Sequence, residues 1–199
     1  MVQLVGPGGA GKTTIGAALA ERLGARFGDL DAEFTARHGD ISAYLDAHGY
    51  EAYAAQNVGL YLDLASPVRF DIVALSSGFM TYLESIHPDY LALRQRIASS
   101  PSTFVLLPAA HVETCVSEIV RRQLRRPFAR PAEREEQVIR ERFFVYFGLS
   151  ARKVETMQPV EAVVGELIAA LAAQQALHLT APGRRAPRAR WEATRACRR

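Results

Sequence analysis

Residues 5–14 read VGPGGAGKTT, four glycines in ten positions beside Lys12, and the chain's other lysine is Lys153. The preceding run, VQLV at 2–5, is short and apolar, as a buried strand is. After the glycines, Ile15, Ala18, Leu19 and Leu23 recur with a helical period that stops at Gly24. Strand, glycine loop and helix in immediate succession leave few architectures open. The helix must fold back onto the sheet that holds its strand, which points to parallel pairing with helices as covers.

Glycine weakens helices and strands, so its density here needs a reason. Without a Cβ, glycine adopts positive φ and lets successive backbone N–H groups turn inward. Converging N–H groups make an anion nest, and the N-terminus of the following helix adds its positive dipole end. The spacing G-x-x-x-x-G-K-S/T is met by Gly6, Gly11, Lys12 and Thr13. In such a loop the lysine reaches the β- and γ-phosphates and the hydroxyl ligates Mg²⁺. Gly6, Gly8, Gly9, Ala10, Gly11, Lys12, Thr13 and Thr14 are therefore the candidate nucleotide site, with ATP and Mg²⁺ as cofactors.

Further strands are expected at 70–78 (FDIVALSSG) and 103–108 (TFVLLP). Helices are expected over 32–65, broken by Gly39 and Gly49, and over 111–125, 132–147 and 159–177. Alternating strands and helices predict a three-layer α/β/α fold around a parallel sheet of about five strands. Residues 1–176 read as one domain. The remainder, 177–199, holds seven arginines and one acid, Glu192, so the net charge of +3 belongs to the tail rather than the body. That tail lacks apolar periodicity and is expected to be disordered, with nucleic acid a partner at most weakly through it. No apolar run is long enough to span a membrane, and no export signal is expected. Cys115 and Cys197 lie too far apart for a metal or disulfide pattern. A cytoplasmic monomer is expected.

Asp29 and Asp31, in FGDLDAEF, follow the glycine loop closely. Two carboxylates there suit phosphoryl transfer, one holding Mg²⁺ and the other accepting a proton from an acceptor hydroxyl. Ser76, Ser77 and Gly78 end the second strand, where ligands bind in open α/β sheets. Arg121, Arg122, Arg125, Arg126 and Arg130 cluster around Pro127 and Pro131 and read as a lid, about 120–134, that brings charge to the transferring phosphoryl group. His111 and Cys115 share a helical face without further ligands and read as packing.

The chain resembles the shikimate kinase family over about residues 2–172. The resembling stretches are LVGPGGAGKTTIGAALAERLGARFGDLD, HGDISAYLDAHGYEAY, RRPF at 125–128, RERFFVY at 140–146 and VETMQPVEAVVGELIAAL. The resemblance implies that Asp29 helps hold Mg²⁺ and that Asp31 binds and deprotonates the acceptor hydroxyl. It also implies that Arg126 folds over the phosphates and that Arg142, with Tyr146, belongs to the helix whose arginine grips a substrate carboxylate. About 32–62 would be the acceptor-binding segment. Three family motifs are altered. F-R-x-x-E is here Tyr53-Ala54-Ala55-Gln56-Asn57, Gly-Gly-Gly is Ser76-Ser77-Gly78, and the proline of R-x-P-L-Y is Phe144. The implied activity is ATP-dependent phosphorylation of a small polar acceptor, with the 3-hydroxyl of shikimate leading. The alternatives are another hydroxylated acceptor (a sugar acid, aminocyclitol or antibiotic) and a nucleotide-binding regulatory protein without turnover.

Overall fold

The central strand is β1 (Val2–Val5), which pairs in parallel with β3 (Ile72–Ala74) on one side and β4 (Thr103–Leu107) on the other. Beyond them lie β2 (Phe27–Asp29) and β5 (Arg152–Glu155), giving the all-parallel order β2-β3-β1-β4-β5. This computed structural model describes residues 1–66, 69–123 and 132–180, without the side chains of 123, 132–135 and 177–180. Within the described residues the helices are α1 (Lys12–Leu23), α2 (Leu30–His38), α3 (Ile41–Ala65), α4 (Tyr90–Ser99), α5 (Val112–Gln123), α6 (Ala132–Gly148) and α7 (Val160–Thr180). The expected lid arginines 125, 126 and 130, and the tail from 181 onward, lie outside the described residues.

Period-two alternation distributes the strand side chains between two cores. Leu4, Phe104 and Leu106 pack with Ile15 and Leu19 of α1 and Val163 and Leu167 of α7. Val5, Val105 and Leu107 face the other way, into a larger core with Phe34, Leu64, Phe79, Tyr90, Phe143 and Tyr146. Each fully buried Leu or Phe contributes about 1.5–3 kcal/mol, so both faces of the sheet need a cover of helices.

The expected helical stretch over 32–65 is two helices. Gly39 ends α2 at φ 84°, and Gly49 (φ 81°, ψ 169°) kinks α3. Three elements escaped the sequence reading: β2, only Phe-Gly-Asp; β5, an edge strand in which Val154 is the one buried residue; and α4. Asp29 closes β2 and caps α2, so Asp31 sits in the first turn of that helix.

Candidate active site

The loop after β1 leaves the sheet at its carboxyl edge and feeds α1. Its glycines take φ of 149° at Gly6 and 94° at Gly11, the latter being the N-cap of α1. A Cβ on Gly6 would stand 2.3 Å from the Leu106 carbonyl oxygen, so only glycine fits there. Lys12 Nζ donates to the carbonyls of Gly6 (2.8 Å) and Pro7 (3.0 Å), across the mouth of the loop.

The loop is braced from outside. Thr156, just past β5, donates its hydroxyl to the Ala10 carbonyl at 2.8 Å. From α5, the Arg122 guanidinium donates to the Gly9 carbonyl (3.2 Å) and to the Thr156 carbonyl (2.9 Å). Glu118 holds Arg122 and Arg121 at 2.6 Å each, and those bonds, from Arg121 first, lower its carboxyl to about 2. Two members of the expected lid, Arg121 and Arg122, are thus helical residues anchored beside the loop. Gly9, Gly11, Thr14, Ile15, Arg122 and Gln158 help line an adjoining cavity of about 350 Å³. Sequence reading missed Thr156 and the bracing role of Arg122. Only strand pairing brings them there, and no local pattern announces it.

Asp29 has two tasks. Its Oδ1 accepts from the backbone N–H groups of Asp31 (3.0 Å) and Ala32 (3.3 Å), while Oδ2 accepts from the Thr13 hydroxyl at 2.6 Å. Two hard oxygens side by side at the nucleotide end form a donor set that suits Mg²⁺.

Two residues further, Asp31 Oδ1 accepts from Ser76 Oγ at 2.5 Å and from the Tyr53 hydroxyl at 3.2 Å. Burial, then the Asp31 charge, holds the Tyr53 phenol well above the usual tyrosine range, so it remains a donor. Beside it, Arg142 donates to Ser77 Oγ (3.2 Å) and the buried Tyr146 hydroxyl donates to the Ser77 carbonyl (2.8 Å), which docks α6 on the loop after β3. Gly78 is hemmed in: an added Cβ would meet Tyr50 Oη at 2.7 Å and Arg142 Nη2 at 3.3 Å. The structure therefore brings Asp31, Ser76, Ser77, Gly78 and Arg142 together at the carboxyl edge of the sheet. Ala54 is 1 % exposed, within the larger core.

These features agree with comparisons to known proteins. The family model for shikimate kinase matches residues 8–172. The shikimate kinase of Nitratidesulfovibrio vulgaris is 30 % identical over 86 % of this chain and 95 % of its own length. That of Chromohalobacter salexigens is 35 % identical over 70 % and 71 %. The fold superposes on Acinetobacter baumannii shikimate kinase in complex with shikimate (TM-score 0.69, 24 % identity, 87 % and 93 % of the two chains). It also superposes, more distantly, on a gluconokinase from Sinorhizobium meliloti (TM-score 0.53, 20 % identity, 89 % and 94 %). With the family matched over most of its length and the phosphate loop in place, the chain belongs to the shikimate kinase family of ATP-dependent small-molecule kinases.

Proposed function

We propose that this protein transfers the γ-phosphoryl group of ATP to the 3-hydroxyl of shikimate. The observation that carries the reading is the Asp29–Asp31 pair, one carboxylate turned to Thr13 of the phosphate loop and the other to Ser76 beside Ser77 and Arg142. Lys12 and the N–H groups of the loop hold the phosphates. Thr13 and Asp29 would hold Mg²⁺, which supplies charge neutralisation as the phosphoryl group moves. Asp31 accepts the acceptor's hydroxyl proton, and Arg142 faces its carboxylate. Arg126, from outside the described residues, is the proposed lid arginine. Relatives named shikimate kinase support the choice of acceptor.

One observation favours a second reading, a different hydroxylated acceptor of the same size. Where the family carries a carboxylate-binding arginine, this chain has Ala54, buried in the core. A charge-assisted hydrogen bond contributes about 1.5–3 kcal/mol, so its loss alone would raise the Michaelis constant for shikimate about 10-fold or more.

The experiment is steady-state ATP turnover over a panel of shikimate, sugar acids and aminocyclitols, with Asp31→Asn alongside. Saturation by shikimate supports the first reading, and preference for another acceptor the second. Asp31→Asn should lose turnover while keeping its affinity for ATP. Weakened ATP binding with normal turnover would show that Asp31 serves the nucleotide instead.

A further inference from the structure

Three of the positions at which this chain departs from its family meet in one hydrogen-bonded chain. Tyr53, Asn57 and Ser76 stand where the family pattern has Phe, Glu and Gly, and all three are joined by hydrogen bonds that end on one atom. The Tyr82 hydroxyl donates to Asn57 Oδ1 at 3.2 Å, and Asn57 Nδ2 donates to the Tyr53 hydroxyl at 3.5 Å. Tyr53 and Ser76 then both donate to Asp31 Oδ1. Asn57 is fully buried and Ser76 is 2 % exposed, so the donor side of this chain is shielded from water. Among the described residues, no hydrogen bond is made to Asp31 Oδ2.

We propose that Ser76 and Tyr53 are positioning residues for Asp31. They fasten the carboxylate through Oδ1, so that Oδ2 is the oxygen presented to the acceptor. This rests on the reading of Asp31 as proton acceptor. In that step the acceptor's O–H proton passes to Oδ2, its oxygen bonds to the γ-phosphorus, and ADP leaves with the electrons of the broken P–O bond.

An aspartate in the first turn of a helix has two side-chain torsions to fix. Two donors on one oxygen fix both before the acceptor arrives, and correct placement is the larger share of catalysis in phosphoryl transfer. Ser76 suits the task because its short side chain is buried in the loop just past β3. Tyr53 suits it because its ring is packed against Phe34, 4.8 Å between centroids, and its hydroxyl is backed by Asn57. With the family's charged pair replaced by Ala54 and Asn57, the floor of the site is neutral. Its order comes from this hydroxyl chain.

The test compares Ser76→Ala, Tyr53→Phe and Ser76→Thr with the wild type, on whichever acceptor of the panel is turned over. Each deletion should lower kcat about 10-fold, the scale of one hydrogen bond to a charged group, with the Michaelis constant for ATP unchanged. Ser76→Thr, which keeps the hydroxyl, should retain most of kcat. Unchanged or raised kcat in both deletions would overturn the proposal, as would equal loss in Ser76→Ala and Ser76→Thr with both folded. A second readout does not depend on turnover. The ¹³C resonance of the Asp31 side-chain carboxyl, assigned with Asp31→Asn, should move in Ser76→Ala and in Tyr53→Phe. If the wild type turns over no acceptor, the kinase reading fails, and this resonance still decides the clamp: movement in both variants supports it, and no movement refutes it.

Discussion

The Thr13 hydroxyl stands 2.6 Å from Asp29 Oδ2, joining the first turn of α1 to the end of β2 across an intervening strand of the sheet order. The two oxygens are held together by the fold. Thr13→Val removes one of them without changing side-chain shape much. The Mg²⁺ concentration giving half-maximal turnover should rise about 10-fold, on the scale of losing one interaction with a charged group. An unshifted Mg²⁺ titration would remove Thr13 from the cation's ligands.

Lys12 donates to the loop carbonyls of Gly6 and Pro7 and is the proposed phosphate-binding cation. Lys12→Ala should cut turnover by at least about 10²-fold, as removal of one preorganised donor does. Lys12→Arg should not restore it, because a planar fork does not fit a nest shaped around a point charge. Steady-state kinetics of both variants check this.

Ala54→Arg tests how far the acceptor floor has diverged. With Ala54 1 % exposed and Asn57 fully buried, a lone guanidinium there is crowded and lacks a carboxylate partner. Burying an uncompensated charge costs several kcal/mol, so Tm should fall by several degrees. Adding Asn57→Glu one turn along α3 should recover part of the loss. Thermal unfolding of the single and double variants measures both.

The Glu118 carboxyl, held by Arg121 and Arg122, is lowered from the ordinary 4.5 to about 2. A lowered folded value means that its contribution is fully present above about pH 4.5 and is lost as pH falls toward 2. The Tm difference between wild type and Glu118→Gln should therefore be large at neutral pH and shrink through that window. A difference that stayed constant down to pH 2 would contradict the assignment.

What the sequence revealed depended on the range of the interaction. β1, the glycine loop and α1 were readable because their signals are consecutive residues: an apolar run, a spacing and a helical period. Asp29 and Asp31 were readable by their closeness to that loop. β2 was not, because Phe-Gly-Asp has too few residues for a pattern and is a strand only through its pairing with β3. β5 was missed because Arg-Lys-Val-Glu buries a single apolar side chain at a sheet edge. Tyr53 was noticed as a departure, but its hydroxyl bond to Asp31, 22 residues away, is set by how α2 packs on α3. Thr156 lies 146 residues from Ala10, and only the β4–β5 pairing brings it there.

That last contact has a consequence for how the nucleotide is received. A glycine-rich loop left to itself samples many shapes, and a ligand binding it must bear the entropy of selecting one. Here the carbonyls of Gly9 and Ala10 are tethered by α5 and by the residue after β5. The selection is made when the sheet assembles, before any phosphate arrives. Nucleotide affinity is therefore tied to the integrity of a distant sheet edge. Damage that loosens β5, far too mild to unfold the protein, would register first as a weaker grip on ATP.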